Sequence, residues 1–572
     1  MLRLLLLLLL ATGFCCSPTL AKTIKEQTKT KTLADIVLKN GAIYTLNKNR
    51  SWCSAVAIKG RQIIYVGSDA NQYIGSKTKV YDLKNQMVLP GFHDGHVHLL
   101  EGWLEQKNCK LDDTTSPSNF AQRLKSYAKS HPNLSWILGN GYPLPLIANN
   151  SITKTFLDKI IPDKPVFLLS QDAHSSLVNS KALEIAHINA NTKDPINGHI
   201  GKAKTTGEPN GFLKESAIEL VSKYIINPYN YPKAIQESQA YANSFGITAI
   251  QDANVNDERL KAYYNAAQAQ QLNLHIIAAL EVKPELGTNQ VVALVKKRSK
   301  YSTGNLHATS AKIFADGIIE NHTAALMEPY IDIKSSCGHL NYPVPYLYKL
   351  ITLLDKNKFQ VHVHAIGDKA THEALQSFAY AQMQNGNLHN RHIIAHLELV
   401  DSADIDKFTK LGVIANFEPF WAQKDEYVKM LTIPFIGTNR SQRLYPMGSF
   451  VRNKVFITGG SDWTVSSINP LDAIEVAITR KSIYSSATEQ SWLPNETLDL
   501  PTALAAYTIN GAYANHLESI TGSIEIGKTA DLIVLNNNLF KIPPNQIHNT
   551  KVVLTMFQGK IVFVSDSFKQ LP

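Results

Sequence analysis

Cysteine is scarce here: five in 572 residues, no two spaced C-x-x-C. Cys15 and Cys16 lie in an N-terminal apolar segment, which leaves Cys53, Cys109 and Cys337 in the body of the chain. An odd number at long, irregular spacing is no disulfide framework. One bridge with a spare thiol and three small buried hydrophobes are the alternatives, the second favoured. Beyond the N-terminal segment no run reaches 18 uninterrupted apolar residues, so no further membrane span is expected. No short-period repeat is present, which argues against a solenoid. No cluster interleaves aromatic with basic residues, which argues against a nucleic-acid partner. With 30 Gly, 25 Pro and 18% charged residues, collagen-like, coiled-coil and wholly disordered chains are excluded.

What is there begins with MLRLLLLLLLATGFCCSPTLAKT: one Arg, an apolar run from Leu4 to Phe14, then small residues up to Ala21. That is the grammar of a signal peptide cleaved after Ala21, and the expected destination is export, periplasmic or secreted. Phe14 before Cys15 is too large for a lipobox, so a lipid anchor at Cys15 or Cys16 is disfavoured. Residues 22–32, KTIKEQTKTKT, read as a solvated linker. Cleavage removes one Arg and no acid, so the formal charge goes from +10 to +9.

Residues 33–88 hold short β-rich runs (DIVLKNGAIYTL, SAVAIKGRQIIYVG, KVYDLKNQMVLPG), and Asn40-Gly41 between two of them is a strong hairpin signal. GSIEIGKTADLIVLN (522–536) and KVVLTMFQGKIVFV (551–564) repeat the pattern. One small β-sandwich built from both ends, 33–88 and 516–572, is the expectation. Between them, 89–515 alternates helical stretches such as 368–385 with eight candidate strands: 88–99, 245–253, 274–280, 309–317, 359–367, 392–399, 412–419 and 454–462. Eight such alternations predict an α/β fold, a (β/α)₈ barrel. The interval from about 104 to 244 is too long for one connection, so an inserted subdomain after the first barrel strand is expected.

Polar, metal-capable residues gather at the strand ends, which in such a barrel form the active-site face. His96 and His98 are two apart on an extended segment and share a face, half a tetrahedral zinc shell; packing or surface histidine is the alternative. His364 ends the fifth strand, with His362 on the same face deeper in. His396 ends the sixth, and Asp462 follows the eighth after Gly459-Gly460. Lys312 stands alone in the apolar run AKIFADG. Burial would neutralise it and let it add carbon dioxide as a carbamate, whereas snorkelling to the rim or pairing with Asp316 is the plainer option.

In order along the chain, PGFHDGHVH (90–98), DAHSSLVNSKAL (172–183), GEPNGFLKES (207–216), KIFADG (312–317), HVHAIGD (362–368), RHIIAHLEL (391–399), GGSDWTV (459–465) and GSIEIGKTADLIVL (522–535) resemble the amidohydrolase superfamily, in its family 3 branch, similar to N-substituted formamide deformylases. The resemblance spans about residues 33–565. It implies a distorted TIM barrel with a small β-sandwich. It also implies His96, His98 and Asp462 on one metal, His364 and His396 on a second, and Lys312 as the bridging carbamate. One or two Zn²⁺ per chain are implied.

Two departures stand out. Ala395 sits where the family commonly has Glu, which removes a carboxylate partner for the sixth-strand His. Glu418-Pro419 replaces Gln-Pro and puts a carboxylate near the mouth, where it would bind a cationic substrate group or pair with a Lys.

The implied reaction is hydrolysis of a C–N bond in an amide, an N-formyl or N-acyl compound or a cyclic amide. Asp462 would move the proton, and His396 or a metal in its place would polarise the carbonyl. In the insertion His174 resembles a substrate-facing segment, with a core histidine as the alternative, while Asn179 or Ser180 suits a helix N-cap. Tyr142, Trp421 and Trp463 are candidate pocket walls, and Trp463 is taken as substrate-binding with His174 and Glu418. The expected partner is a small-molecule substrate, and a homodimer is admitted. A sugar-processing barrel would need paired carboxylates in place of a histidine cluster. The rival class is a non-catalytic binding or regulatory protein on the same scaffold.

Overall fold

The computed structural model describes residues 32–147, 152–225, 230–486 and 488–569. The N-terminal apolar run, Cys15, Cys16 and residues 22–31 lie outside the described residues.

Eight parallel strands follow one another in sequence order: β1 (Phe92–Val97), β2 (Ile247–Val255), β3 (His275–Glu281), β4 (Leu306–Phe314), β5 (Gln360–Ala365), β6 (Ile393–His396), β7 (Ile414–Phe417) and β8 (Ile457–Gly459). Each overlaps a span expected to be a strand; β2 and β3 run on past the expected ends at 253 and 280, and β4 begins before the expected start at 309. Both faces of a parallel barrel strand are covered, which explains why β5 is buried throughout although it alternates His and Val: Val361 and Val363 face the helices, His362 and His364 the interior. The helix Asp368–Asn385 turns Ala370, Ala374, Leu375, Phe378 and Ala381 to the sheet, a stripe at helical spacing.

The ring closes between its first and last strands through the backbone beyond β8: Ser461 and Asp462 donate N–H bonds to the His96 carbonyl at 3.2 and 2.8 Å. Two glycines permit this approach. A Cβ on Gly95 would lie 3.0 Å from the Gly459 carbonyl oxygen, and one on Gly460 would lie 2.8 Å from the His96 Cβ.

Segments from both ends of the chain share a sandwich. One sheet has the order Gln62–Gly67, Ala55–Lys59, Ile36–Lys39, Lys79–Asp82. The other runs Lys560–Val564, Val552–Phe557, Leu532–Leu535, Met87–Pro90, Ala42–Tyr44, Trp52–Cys53. Leu38, Val56, Ile58, Val88, Leu532 and Leu554 meet between them. Gln558-Gly559, both with positive φ, turn a true hairpin.

Asn40-Gly41 does not form the expected hairpin. Its flanking strands enter different sheets, Ile36–Lys39 beside Ala55–Lys59 and Ala42–Tyr44 beside Met87–Pro90. The Asn40 side chain bonds Asp82 at 2.9 Å, and a Cβ on Gly41 would press on Leu83 at 2.8 Å. The pair therefore serves a crossing between layers.

The insertion is a mixed six-stranded sheet of its own, in the order Gly198–Lys202, Pro209–Glu215, Ser175–Val178, Val166–Ser170, Ile137–Tyr142, Cys109–Lys110. Asn179 caps the helix Ser180–Ile185 by accepting from Ala182 N at 3.1 Å. Cys53, Cys109 and Cys337 are free thiols. Among the described residues no helix is long and apolar enough to cross a membrane.

Candidate active site at the barrel rim

The C-terminal strand ends converge on a cluster of imidazoles. His96 lies in β1 with its ring centroid 4.8 Å from His362 and 4.6 Å from His396, and His396 lies 4.5 Å from His364. Lys312 Nζ is 3.1 Å from His96 Nε2. Asp462 Oδ1 is 3.2 Å from His98 Nε2 and 3.6 Å from His96 Nε2. Donor atoms of His96, His396 and Asp462 lie within 4.8 Å of one another, all buried. The six sequence-derived ligand candidates are thus neighbours around one small volume. His362 lies against His96, Nε2 to Nδ1 at 3.0 Å.

The donor chemistry suits a cation. Asp462 Oδ1 and Glu418 Oε1 are buried carboxylate oxygens that make no hydrogen bond. Close approach to imidazoles without a directional bond is what groups aimed at a common centre show. Burial pushes His96, His362 and His364 well below the ordinary imidazole range, and neighbouring positive groups add to it. Burial likewise takes His396 down to about 3 and Lys312 to about 8. Neutral imidazoles are the ligand form. Burial also pushes Glu418 upward, reinforced by the charge of Asp462. Asp462 goes the other way, to about 2, because the His98 imidazole and nearby positive charge outweigh its burial. Both His396 (φ 78°) and Asp462 (φ 47°) hold left-handed backbone, a strain of about 1–3 kcal/mol each that surroundings must impose and that clusters at functional sites.

Glu418 is not a mouth residue. It is 1% exposed, and its Oε2 lies 3.0 Å from His396 Nδ1. The carboxylate that Ala395 fails to provide thus comes from the end of β7. Trp463 is also displaced from its expected role: 5% exposed, it packs under the helix Leu99–Glu105, where a Cβ on Gly102 would come within 2.8 Å of the ring, and beside Tyr241 at 5.6 Å. The aromatics against the cluster are Trp421, stacked on His396 at 5.4 Å and 4°, and Phe314, 5.3 Å from His364 and 4.7 Å from Lys312 Nζ. Tyr142 is fully buried in the insertion's own core. His174 reaches the cluster from the insertion, 5.4 Å from His364 by ring centroid, with Nδ1 2.7 Å from Glu215. Although burial opposes it, the Glu215 charge raises His174 to about 9.

Two carboxylates organise the rim: Asp94 escaped the sequence reading, and Asp316 entered it only as a partner for Lys312. Asp94 accepts from Ser461 Oγ (2.6 Å), Ser461 N (3.0 Å) and His96 N (3.2 Å), clasping the last strand to the first beside two ligand candidates. Asp316 accepts backbone N–H bonds from Ala325 (2.9 Å), Gly367 (2.9 Å) and Ile366 (3.1 Å) and so ties the loops after β4 and β5, leaving Lys312 unpaired with it. A lone acid before H-x-H was the available signal for Asp94.

Residues 79–563 match the amidohydrolase family, in its family 3 description. The chain belongs to the amidohydrolase family. This amidohydrolase is 29% identical over 523 residues to the Arabidopsis thaliana protein LONG AFTER FAR-RED 3, covering 88% of each chain. It is 28% identical to the putative amidohydrolase YtcJ of Bacillus subtilis (91% of this chain, 98% of that one). It is 24% identical to an N-substituted formamide deformylase of Arthrobacter pascens (92% and 98%). Among solved structures, a metal-dependent hydrolase from Pyrococcus horikoshii shares the fold with a TM-score of 0.72, at 23% identity over 89% of this chain and 99% of that one.

Proposed function

We propose that this amidohydrolase cleaves a C–N bond of a small molecule, an amide, N-formyl or N-acyl compound or cyclic amide, with one or two Zn²⁺ held at the rim. The observation that carries this reading is the meeting of His96, His98, Lys312, His364, His396 and Asp462 around two carboxylate oxygens that lack hydrogen bonds. His96, His98 and Asp462 would hold one ion and His364 and His396 a second. Lys312, brought by burial to about 8, is neutral often enough near that pH to carry a bridging carbamate. A bound zinc ion polarises a carbonyl and acidifies water.

The remaining work falls to side chains. Asp462 is ionised with one oxygen free, so it can take the proton of the attacking water and return it to the leaving nitrogen. With the ring proton on Nδ1, which faces Glu418, His396 would offer Nε2 as a lone pair; this fits a ligand better than a group that polarises the carbonyl itself. A binding or regulatory protein would have no need to keep six such groups together, five of them buried. The N-terminal apolar run supports export to the periplasm or medium.

The test is metal analysis of the purified mature protein, followed by a screen of N-formyl amines, N-acyl amino acids and cyclic amides with and without chelator. About one or two zinc per chain and chelator-sensitive turnover are expected. Asp462→Asn should keep the fold and abolish turnover. Metal-free protein, or an active D462N, would overturn the reading.

A further inference from the structure

The insertion approaches the rim through one hydrogen-bonded relay. Glu215 ends the strand Pro209–Glu215 with a positive φ of 51°. Its Oε2 lies 2.7 Å from His174 Nδ1, and its Oε1 accepts from Thr323 Oγ1 at 2.7 Å. Thr323 stands in the loop after β4. Gly317, in the same loop, accepts from the ligand candidate His364 Nε2 at 3.1 Å through its carbonyl. It has no side chain because a Cβ there would fall 2.6 Å from Glu215 Oε1 and 2.1 Å from Thr323 Oγ1. One loop therefore orients a ligand histidine and the Glu215 carboxylate together.

Docking of the insertion does not depend on that carboxylate. Asn321 Nδ2 donates to the His174 carbonyl (3.2 Å) and to Ser175 Oγ (3.0 Å), and Asn197 Nδ2 donates to the Asn341 carbonyl (2.8 Å). Glu215 is thus spare as a structural tie. What it does alone is fix the His174 ring. With Nδ1 engaged, Nε2 makes no hydrogen bond to any described residue, while the ring stands beside His364 with 18% of its side chain exposed.

We infer that Glu215 is a positioning residue that presents His174 Nε2 to the scissile group of the substrate, so that the insertion supplies a hydrogen-bonding group to the active site. A carboxylate on one ring nitrogen sets what the other can do. The inference rests on the hydrolase reading and deepens it.

The test uses the zinc-loaded full mature chain and hydrolysis of 4-nitroformanilide, with D462N as control. Glu215→Ala should lower kcat by about 10²-fold with KM within about threefold, the signature of an interaction made in the transition state. Glu215→Gln keeps one acceptor oxygen for Nδ1 and should lose only about tenfold. Zinc content should stay at the wild-type value in both, while the thermal midpoint should fall by a few degrees in E215A, which strands Thr323 Oγ1 and the His174 ring N–H, and stay near wild type in E215Q, which keeps an acceptor. Independently of turnover, histidine ¹⁵N signals should show His174 shifting when formate is added to wild type and not to E215A. Wild-type kcat in E215A, or a His174 signal indifferent to formate, overturns the inference. If D462N is silent while E215A is normal, this inference alone falls. If D462N is active, the hydrolase reading falls first.

Discussion

Consider replacing Asp94, the clasp between the two ends of the ring. In Asp94→Ala three donors lose their acceptor: Ser461 Oγ, Ser461 N and His96 N. All lie in buried surroundings, where stranding a donor costs about 1–3 kcal/mol. Partial relaxation toward the vacated space brings the sum to about 3–5 kcal/mol, a large share of a typical folding free energy.

Asp94→Asn differs. Its oxygen accepts both N–H groups while its amide donates to Ser461 Oγ, so the loss should stay under about 1 kcal/mol. The two variants also separate by pH. Burial raises the Asp94 carboxyl to about 7. Below pH 3.8 folded and unfolded chains both hold the proton. Between 3.8 and 7 only the unfolded chain gives it up, so wild type loses stability relative to D94N. Above 7 the difference is constant, about 4 kcal/mol at most for a shift of that size.

The assay is urea unfolding of chelator-stripped protein from pH 4 to 8, which removes any ion that would itself favour the carboxylate. A urea midpoint for D94A equal to wild type, or a D94N profile parallel to wild type across this range, would refute the clasp.

Other outcomes follow from the same geometry. Asp531 accepts from Gln558 N (2.6 Å), Thr529 Oγ1 (2.7 Å) and His275 Nε2 (3.2 Å), joining the C-terminal sheet to the foot of β3. Asp531→Ala should cost about 3 kcal/mol, read by denaturant unfolding. Burial opposes ionisation of Asp531, but His275 beside it holds its carboxyl below the usual range, so wild type should keep this stabilisation above pH 3.8 and lose it on further acidification, whereas the variant should show no such loss. Gly511→Ala places a Cβ 2.5 Å from the His93 Cβ and should lower stability by about 1–3 kcal/mol with metal content unchanged. Reductant should not move the thermal midpoint, because Cys53, Cys109 and Cys337 are free.

The barrel was legible because its signal is repeated and local: eight apolar runs, most of them with a polar tip. The same property brought out His96, His98, Lys312, His364, His396 and Asp462, since a residue at the tip of a barrel strand has one face to occupy. Where the outcome depends on distant chain, local signals fail. Asn40-Gly41 carries hairpin chemistry, but which sheet each flank joins is settled by Lys79–Asp82 on one side and Met87–Pro90 on the other. Glu418 and Trp463 each follow a strand end closely, and sequence cannot say whether the side chain turns inward to His396 or outward to a helix. Asp94 looks like one more acid until Ser461, 367 positions later, is set beside it.

That last separation bears on how the protein comes into being. The site cannot exist on a nascent chain until Ser461 and Asp462 have emerged, and the sandwich must wait longer still, for Val552–Phe557 to line up beside Leu532–Leu535. Until then Met87–Pro90, an apolar strand, stands without the neighbour it will find in Leu532–Leu535. Such long-range closure slows folding and leaves unpaired edges open to aggregation in the interval. Fragments ending before about residue 460 should therefore gather no metal and should need a chaperone to stay in solution.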